Sequence, residues 1–181
     1  MIGIAHLHWY QDRFEVLAHA AAIAPLEGLV LEFGVASGDT IRFLAASPAL
    51  CGRKIYGFDS FEGLPEPWGA YQVTHFACTL PIVQKNVELV VGMFADTLPP
   101  FLAKHASPAA LIHIDCDLYS STKLVLEWLT PRIIPGTVIV MDEYWIVVEH
   151  EQRAFEEWLT QTNRQCRHEA RAIEQLCVIM Q

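Results

Sequence analysis

Two apolar runs in this sequence end abruptly in acids. Leu111-Ile112-His113-Ile114 leads into Asp115-Cys116-Asp117, and Val138-Ile139-Val140-Met141 leads into Asp142-Glu143. Short apolar runs without alternation read as strands buried on both faces. In a parallel sheet both carboxyl ends share one rim, so the four carboxylates would crowd together. Such a group repels itself unless a proton or a cation intervenes. Hard oxygen ligands suit Mg²⁺, which keeps several waters and contacts few carboxylates. The plainer alternative is that some of these acids cap the following helices, a role open to Asp117 or Ser120.

A third apolar run, Leu29 to Phe33, opens into Gly34-Val35-Ala36-Ser37-Gly38-Asp39-Thr40. Glycines there permit a tight turn and close approach of backbone to a ligand. Of the three places in a dinucleotide G-x-G-x-x-G, only Gly34 fits, since Ala36 and Asp39 hold the others. No G-x-x-x-x-G-K-[ST] phosphate loop is present, and Ser37 falls one place too late for a G-x-S-x-G elbow. What remains is Glu32 followed by Gly34-x-Ala36-x-Gly38, which resembles the Gly-x-Gly-x-Gly motif of class I methyltransferases. Asp59 ends the next predicted strand, 21 residues beyond Gly38. An acid about 20 residues on can hold two ribose hydroxyls.

These groups need a scaffold that brings strand ends together. Helical spacing runs from Asp12 to Ala24, stopped by Pro25 and Gly28. Strands are predicted at Leu29–Phe33, Lys54–Phe58, Val87–Val91, Leu111–Asp115, Thr137–Met141 and Leu176–Met180. Helices are predicted through Ala46, with Ser37 to Asp39 able to supply a side-chain cap, near Thr97 to His105, from Ser121 to Leu129 and from Glu149 to Thr162. Ser60 to Gln72, with two prolines and two glycines, reads as a loop. The alternation predicts an α/β fold: a doubly wound, mostly parallel, Rossmann-like sheet with helices on both faces, in one domain spanning residues 1–181 with a helical segment over 1–28.

The totals agree. The chain has 181 residues, 52% hydrophobic and 18% charged, enough for a large core and too apolar for disorder. A net charge of −9 argues against nucleic acid or an anionic membrane as partner. Five cysteines without a CxxC pair, no signal peptide at Met1 to Tyr10 and no membrane-length apolar run predict free thiols in a reducing cytoplasm. Weaker candidates are His6-x-His8 as a metal pair, His75 and His150 beside the cleft, and Trp68, Tyr71 and Trp145 as pocket walls or core cover. His113 reads as a satisfied buried histidine, and Cys116 as a small core side chain.

Five segments together resemble the macrocin O-methyltransferase family: Leu31 to Gly38, Phe58-Asp59-Ser60-Phe61-Glu62-Gly63-Leu64-Pro65, Gly92-Met93-Phe94-Ala95-Asp96-Thr97-Leu98-Pro99, His113 to Tyr119, and Pro135 to Tyr144. They come in the family's order and cover about Leu29 to Trp145. The resemblance implies a class I methyltransferase fold, S-adenosylmethionine as cofactor and Mg²⁺-dependent transfer to a hydroxyl of a small molecule, a sugar or natural product. It implies that Glu32, Gly34 and Gly38 line the methionine part of the cofactor and that Asp59 holds the ribose. Ser60 and Phe61 would lie near the adenosine, and Met93 and Phe94 beside the adenine. Asp115, Asp142 and Glu143 would coordinate the metal, with Asp117 as the base. The family usually has two aspartates where this chain has Asp142-Glu143. Its members also tend to carry longer N-terminal segments over the cleft; here a neighbouring subunit of a homo-oligomer could supply the lid.

The chemistry expected is in-line methyl transfer from a sulfonium to an aligned oxygen, with removal of its proton. A divalent cation acidifies and orients such a hydroxyl. Two other readings stand beside it: a metal-dependent hydroxylase-like enzyme on the same scaffold, and a non-catalytic cofactor-binding module.

Overall fold

The computed structural model describes residues 7–146 and 149–181. Its strands are β1 (His8–Trp9), β2 (Leu29–Phe33), β3 (Ile55–Asp59), β4 (Val87–Val91), β5 (Ala109–Ile114), β6 (Val138–Met141), β7 (Cys166–Arg171) and β8 (Leu176–Met180). They form one sheet in the order β1-β7-β8-β6-β5-β2-β3-β4. All pairs are parallel except those of β8, which runs antiparallel to both β6 and β7. The expected doubly wound, Rossmann-like α/β sheet is therefore present.

Five α-helices cover the faces: α1 (Arg13–Ile23), α2 (Asp39–Ala46), α3 (Phe94–Lys104), α4 (Tyr119–Leu129) and α5 (Glu151–Thr162). Strand alternation sorts the core into two layers. Leu29, Leu31 and Phe33 of β2 pack with Leu98 and Phe101 of α3, Val125, Leu126 and Leu129 of α4, and Phe155 and Trp158 of α5. Val30 points the other way, with Val16, Leu17 and Ala20 of α1 and Ile41 and Leu44 of α2. Each fully buried Leu, Ile or Phe contributes about 1.5–3 kcal/mol. Among the described residues no helix is long and apolar enough to cross a membrane.

Local signals explain most boundaries. The Asp12 side chain caps α1 by accepting the Glu15 amide at 3.0 Å, and Pro25 follows the helix. α2 departs from the expected side-chain cap: Gly38 is its N-cap at φ +84, and the Ser37 hydroxyl instead bonds Asp39 at 2.9 Å. α3 begins at Phe94, a turn earlier than expected, with Met93 as its N-cap and Pro99 and Pro100 inside it. β1 and β7 were not predicted. β7 reads Cys-Arg-His-Glu-Ala-Arg, polar enough to look like a connection, and its pairing with β8 makes it a strand.

Candidate active site

The adjacent carboxyl ends of β5, β2, β3 and β4 open onto a cavity of about 550 Å³. Its floor is the turn after β2, where Gly34, Val35, Ala36 and Ser37 line the space. A Cβ on Gly34, at φ +88, would lie 1.6 Å from the Asp115 carbonyl oxygen. Glycine is required there so that the turns after β2 and β5 can touch. Asp59 clamps the turn from the side. Its Oδ2 accepts the amides of Val35 and Ala36, both at 2.8 Å, and its Oδ1 accepts that of Phe61 at 2.7 Å. A carboxylate has about four acceptor positions, so one remains for a ligand hydroxyl rather than the two expected.

Ser60, Gly92, Met93 and Phe94 continue the wall past β3 and β4. Phe94 rests edge-on against Phe33, with ring centroids 5.5 Å apart. Over the opening lies the loop after β3, contributing Leu64, Pro65, Trp68, Tyr71 and Phe76. It is tied down by the Ser120 hydroxyl donating to Glu66 at 2.6 Å and by mutual backbone bonds between Trp68 and Tyr71.

The acids occupy the far end. Asp115, Asp117 and Glu143 can each point an oxygen so that all three lie within 4.8 Å of one another, and all three line the cavity. None is spent on helix capping. The N-cap of α4 is Leu118 and that of α5 is His150, neither with a side-chain cap bond, and Ser120 lies within α4. Burial, then the charges of Glu151, Asp117, Asp115 and Asp142, push the Glu143 carboxyl up to about 11. Burial and then Asp142 raise Asp115 well above the carboxylate range, and burial likewise raises Asp117. The guanidinium facing them is Arg13, 3.8 Å from Asp115 Oδ2 and 3.5 Å from Asp142 Oδ2. Glu143 Oε2 is buried without a hydrogen-bond partner. An all-oxygen set with an unpartnered buried oxygen fits a hard divalent cation such as Mg²⁺.

A profile of a methyltransferase domain family matches residues 31–144, which include the glycine turn, Asp59 and all the acids of the rim. The chain belongs to that family. A tetracenomycin-type 4'-O-methyltransferase acting on a dimethoxy-rhamnosyl compound, from Streptomyces olivaceus, is 29% identical over 170 residues, 81% of this chain and 62% of the relative. The mycinamicin III 3''-O-methyltransferase of Micromonospora griseorubida is 28% identical over 174 residues, 79% of this chain and 66% of the relative. The chain thus spans just under two thirds of the length of these curated relatives. The crystal structure of CalS11, a calicheamicin methyltransferase, shares the fold at a TM-score of 0.70 and 23% identity, over 92% of this chain and 76% of that one.

The methyltransferase domain rearranges several expected site residues. Glu32 does not line the cavity. It is fully buried in β2, where its oxygens bond the Thr40 hydroxyl and His113 Nδ1, each at 2.9 Å. Burial opposes charge on His113, yet Glu32 outweighs it and lifts the imidazole to about 9. Glu32 is therefore a brace between β2, α2 and β5. Gly38 also sits off the cavity, against Arg42 and Pro81. Phe61 is buried in the core layer of α1 and α2, and its amide donates to Asp59. Asp142 is only 2% exposed and lies behind the open acid group, with Oδ1 accepting from Gln175 at 3.0 Å. Its oxygen comes within 4.8 Å of His113 and Asp115 instead. Of the expected ligands, Asp115 and Glu143 line the cavity together with Asp117, while Asp142 sits behind them.

Trp68 and Tyr71 line the methyltransferase cavity, whereas Trp145 lies under the Arg171 guanidinium, 4.2 Å from it. His75 stacks on Tyr71, and His150 Nδ1 accepts the Tyr119 amide at 3.2 Å. Cys116 and His113 are buried as expected, but only Nδ1 of His113 is hydrogen-bonded and its buried Nε2 has no partner; His6 lies outside the described residues. Two residues had no sequence signal. Arg13 is an ordinary first-turn residue of an amphipathic helix until α1 is laid across the rim. Glu151 reads as a solvent-facing helix acid, yet it is fully buried.

Proposed function

We propose that this methyltransferase domain transfers the methyl group of S-adenosylmethionine to a hydroxyl of a sugar-bearing or related natural product, in the manner of the macrocin O-methyltransferases, with Mg²⁺ at the acid rim. One observation carries the reading: a single cavity joins the glycine turn to an all-oxygen acid cluster. Both curated relatives are by name O-methyltransferases, and the first is named for a dimethoxy-rhamnosyl compound, which supports the choice of acceptor.

Gly34, Val35 and Ala36 would receive the methionine part against bare backbone, Asp59 a ribose hydroxyl, Ser60 the adenosine edge, and Met93 and Phe94 the faces of the adenine. Trp68, Tyr71 and Phe76 would hold the acceptor and exclude water. Asp115, Asp117 and Glu143 would hold the cation, which when bound acidifies and orients the acceptor hydroxyl. In the transfer the methyl–sulfur bond breaks as the methyl–oxygen bond forms, leaving a neutral thioether. Asp117 takes the hydroxyl proton. The protein's remaining task is alignment of oxygen, methyl and sulfur.

The test is incubation of the full chain with methyl-labelled S-adenosylmethionine, Mg²⁺ and a panel of rhamnosides, other glycosides and phenols. Label appearing in a hydroxylated acceptor, and lost with EDTA, supports the proposal. Label transfer that ignores EDTA overturns the metal role, and transfer to nitrogen acceptors alone overturns the hydroxyl.

A further inference from the structure

The sequence also offered a histidine pair near its start. One member, His8, lies in β1 at the edge of the sheet opposite β4, where it pairs with Ala170 of β7. Its ring is 4.8 Å from that of His19 on α1. His19 Nδ1 bonds the Tyr10 hydroxyl at 2.9 Å. Its Nε2 is buried, has no hydrogen-bond partner, and lies 3.6 Å from Glu169 Oε1. Glu169 is 9% exposed, and its other oxygen pairs with Arg167. One nitrogen from each histidine and one oxygen of Glu169 all lie within 4.8 Å of one another.

In the tautomer whose Nδ1 hydrogen is donated to Tyr10, Nε2 of His19 carries a lone pair. That lone pair then faces a carboxylate oxygen with no hydrogen between them, which calls for either a proton or a metal. An imidazole fixed through its far nitrogen by an outer partner is also how metal-binding histidines are oriented. Two imidazoles and one carboxylate suit zinc and its neighbours, not Mg²⁺. Zinc bonds of 2.0–2.2 Å set tetrahedral ligand atoms roughly 3.3 Å apart. The His19–Glu169 gap is already close to that, and His8 is exposed and free to turn inward.

We propose that His8, His19 and Glu169 bind one zinc-type divalent transition metal, at a site separate from the cleft. The ion fastens the two-residue strand β1 to α1 and β7 and keeps a coordination position open to solvent.

The test is calorimetric titration of ZnCl₂ into the full chain under saturating Mg²⁺, which occupies the cleft acids. Cys51→Ser and Cys78→Ser form the background, because these two thiols are exposed. We expect one zinc per chain, at least about tenfold weaker in His8→Ala and in Glu169→Gln, and unchanged in Asp117→Asn. Zinc should also raise the melting temperature of the parent but not of His8→Ala, a surface change that leaves the fold intact. No zinc binding in the parent, equal binding in His8→Ala, or loss of zinc in Asp117→Asn would overturn the proposal.

Discussion

The carboxylate of Glu151 accepts the backbone amide of Glu143 at 3.2 Å, while its other oxygen accepts that of Cys116 at the same distance. One buried acid at the start of α5 thereby ties the loop after β6 to the loop after β5. These are the two loops that carry Asp115, Asp117 and Glu143. The tie orients the cluster from below, without Glu151 entering the cavity.

Replacing that acid by its amide tests the tie. In Glu151→Gln one loop amide faces an NH₂ group and loses its acceptor, a cost of about 1–3 kcal/mol for a buried donor. The expected result is a lower melting temperature together with weaker Mg²⁺ binding. A variant that melts lower but binds Mg²⁺ like the parent would reduce Glu151 to a purely structural role.

Asp117 and Asp142 separate the two possible ligand sets. Asp117 lies at φ +60, in the left-handed region that aspartate tolerates, and this turns it toward the cavity. Asp142 is held behind by Gln175 and Arg13. Asp117→Asn should weaken Mg²⁺ binding by at least about tenfold, or about 1.4 kcal/mol. Asp142→Asn should change it only a few-fold. Calorimetric Mg²⁺ titration of both variants checks this, and the reverse order would restore Asp142 as a ligand.

Gly34→Ala should be among the most damaging single changes in the chain. The added methyl would collide with the Asp115 carbonyl, and φ +88 is strained for alanine in any case. A loss of roughly 4 kcal/mol or more is expected, visible in the denaturation midpoint. Gly52→Ala, where a Cβ meets nothing within 4 Å, is the control for left-handed strain alone.

The acid cluster also predicts a pH dependence. Folding raises the Glu143 carboxyl from 4.5 to about 11, so its stabilising contribution is complete below pH 4.5 and is lost as pH climbs toward 11. In EDTA the protein should therefore lose stability as pH rises through that range. Mg²⁺ requires the ionised acids, so its stabilisation grows in the same direction. The melting-temperature gap between Mg²⁺ and EDTA should widen from about pH 5 to about pH 9. A constant gap would contradict a cation at these carboxylates.

Features encoded within one element are legible in the sequence, whereas those made by partners distant in sequence are not. β2, β4 and β8 have the bounds expected, because a strand buried or bounded by turns announces itself in a short apolar run. β7 does not, since pairing rather than composition makes it a strand. The shared rim of Asp115 and Asp142 is legible because strand ends in a parallel sheet coincide. Which acid faces the cavity is not. That depends on the turn at Asp117 and on Arg13 and Gln175, which come from elements distant in sequence. Glu32 misleads for a related reason: its place before the glycines suggests a ligand contact, while its partners Thr40 and His113 become neighbours only in the folded sheet.

The central claim is that the glycine turn and the acid rim form one site for S-adenosylmethionine and its acceptor. Titration of S-adenosylmethionine into the full chain with Mg²⁺ present, followed by calorimetry, tests it most directly. The account predicts saturable one-to-one binding that Asp59→Ala weakens by at least about tenfold, since the variant loses both the ribose contact and the clamp on the turn. No cofactor binding by the folded parent protein, or binding that Asp59→Ala leaves unchanged, would contradict it.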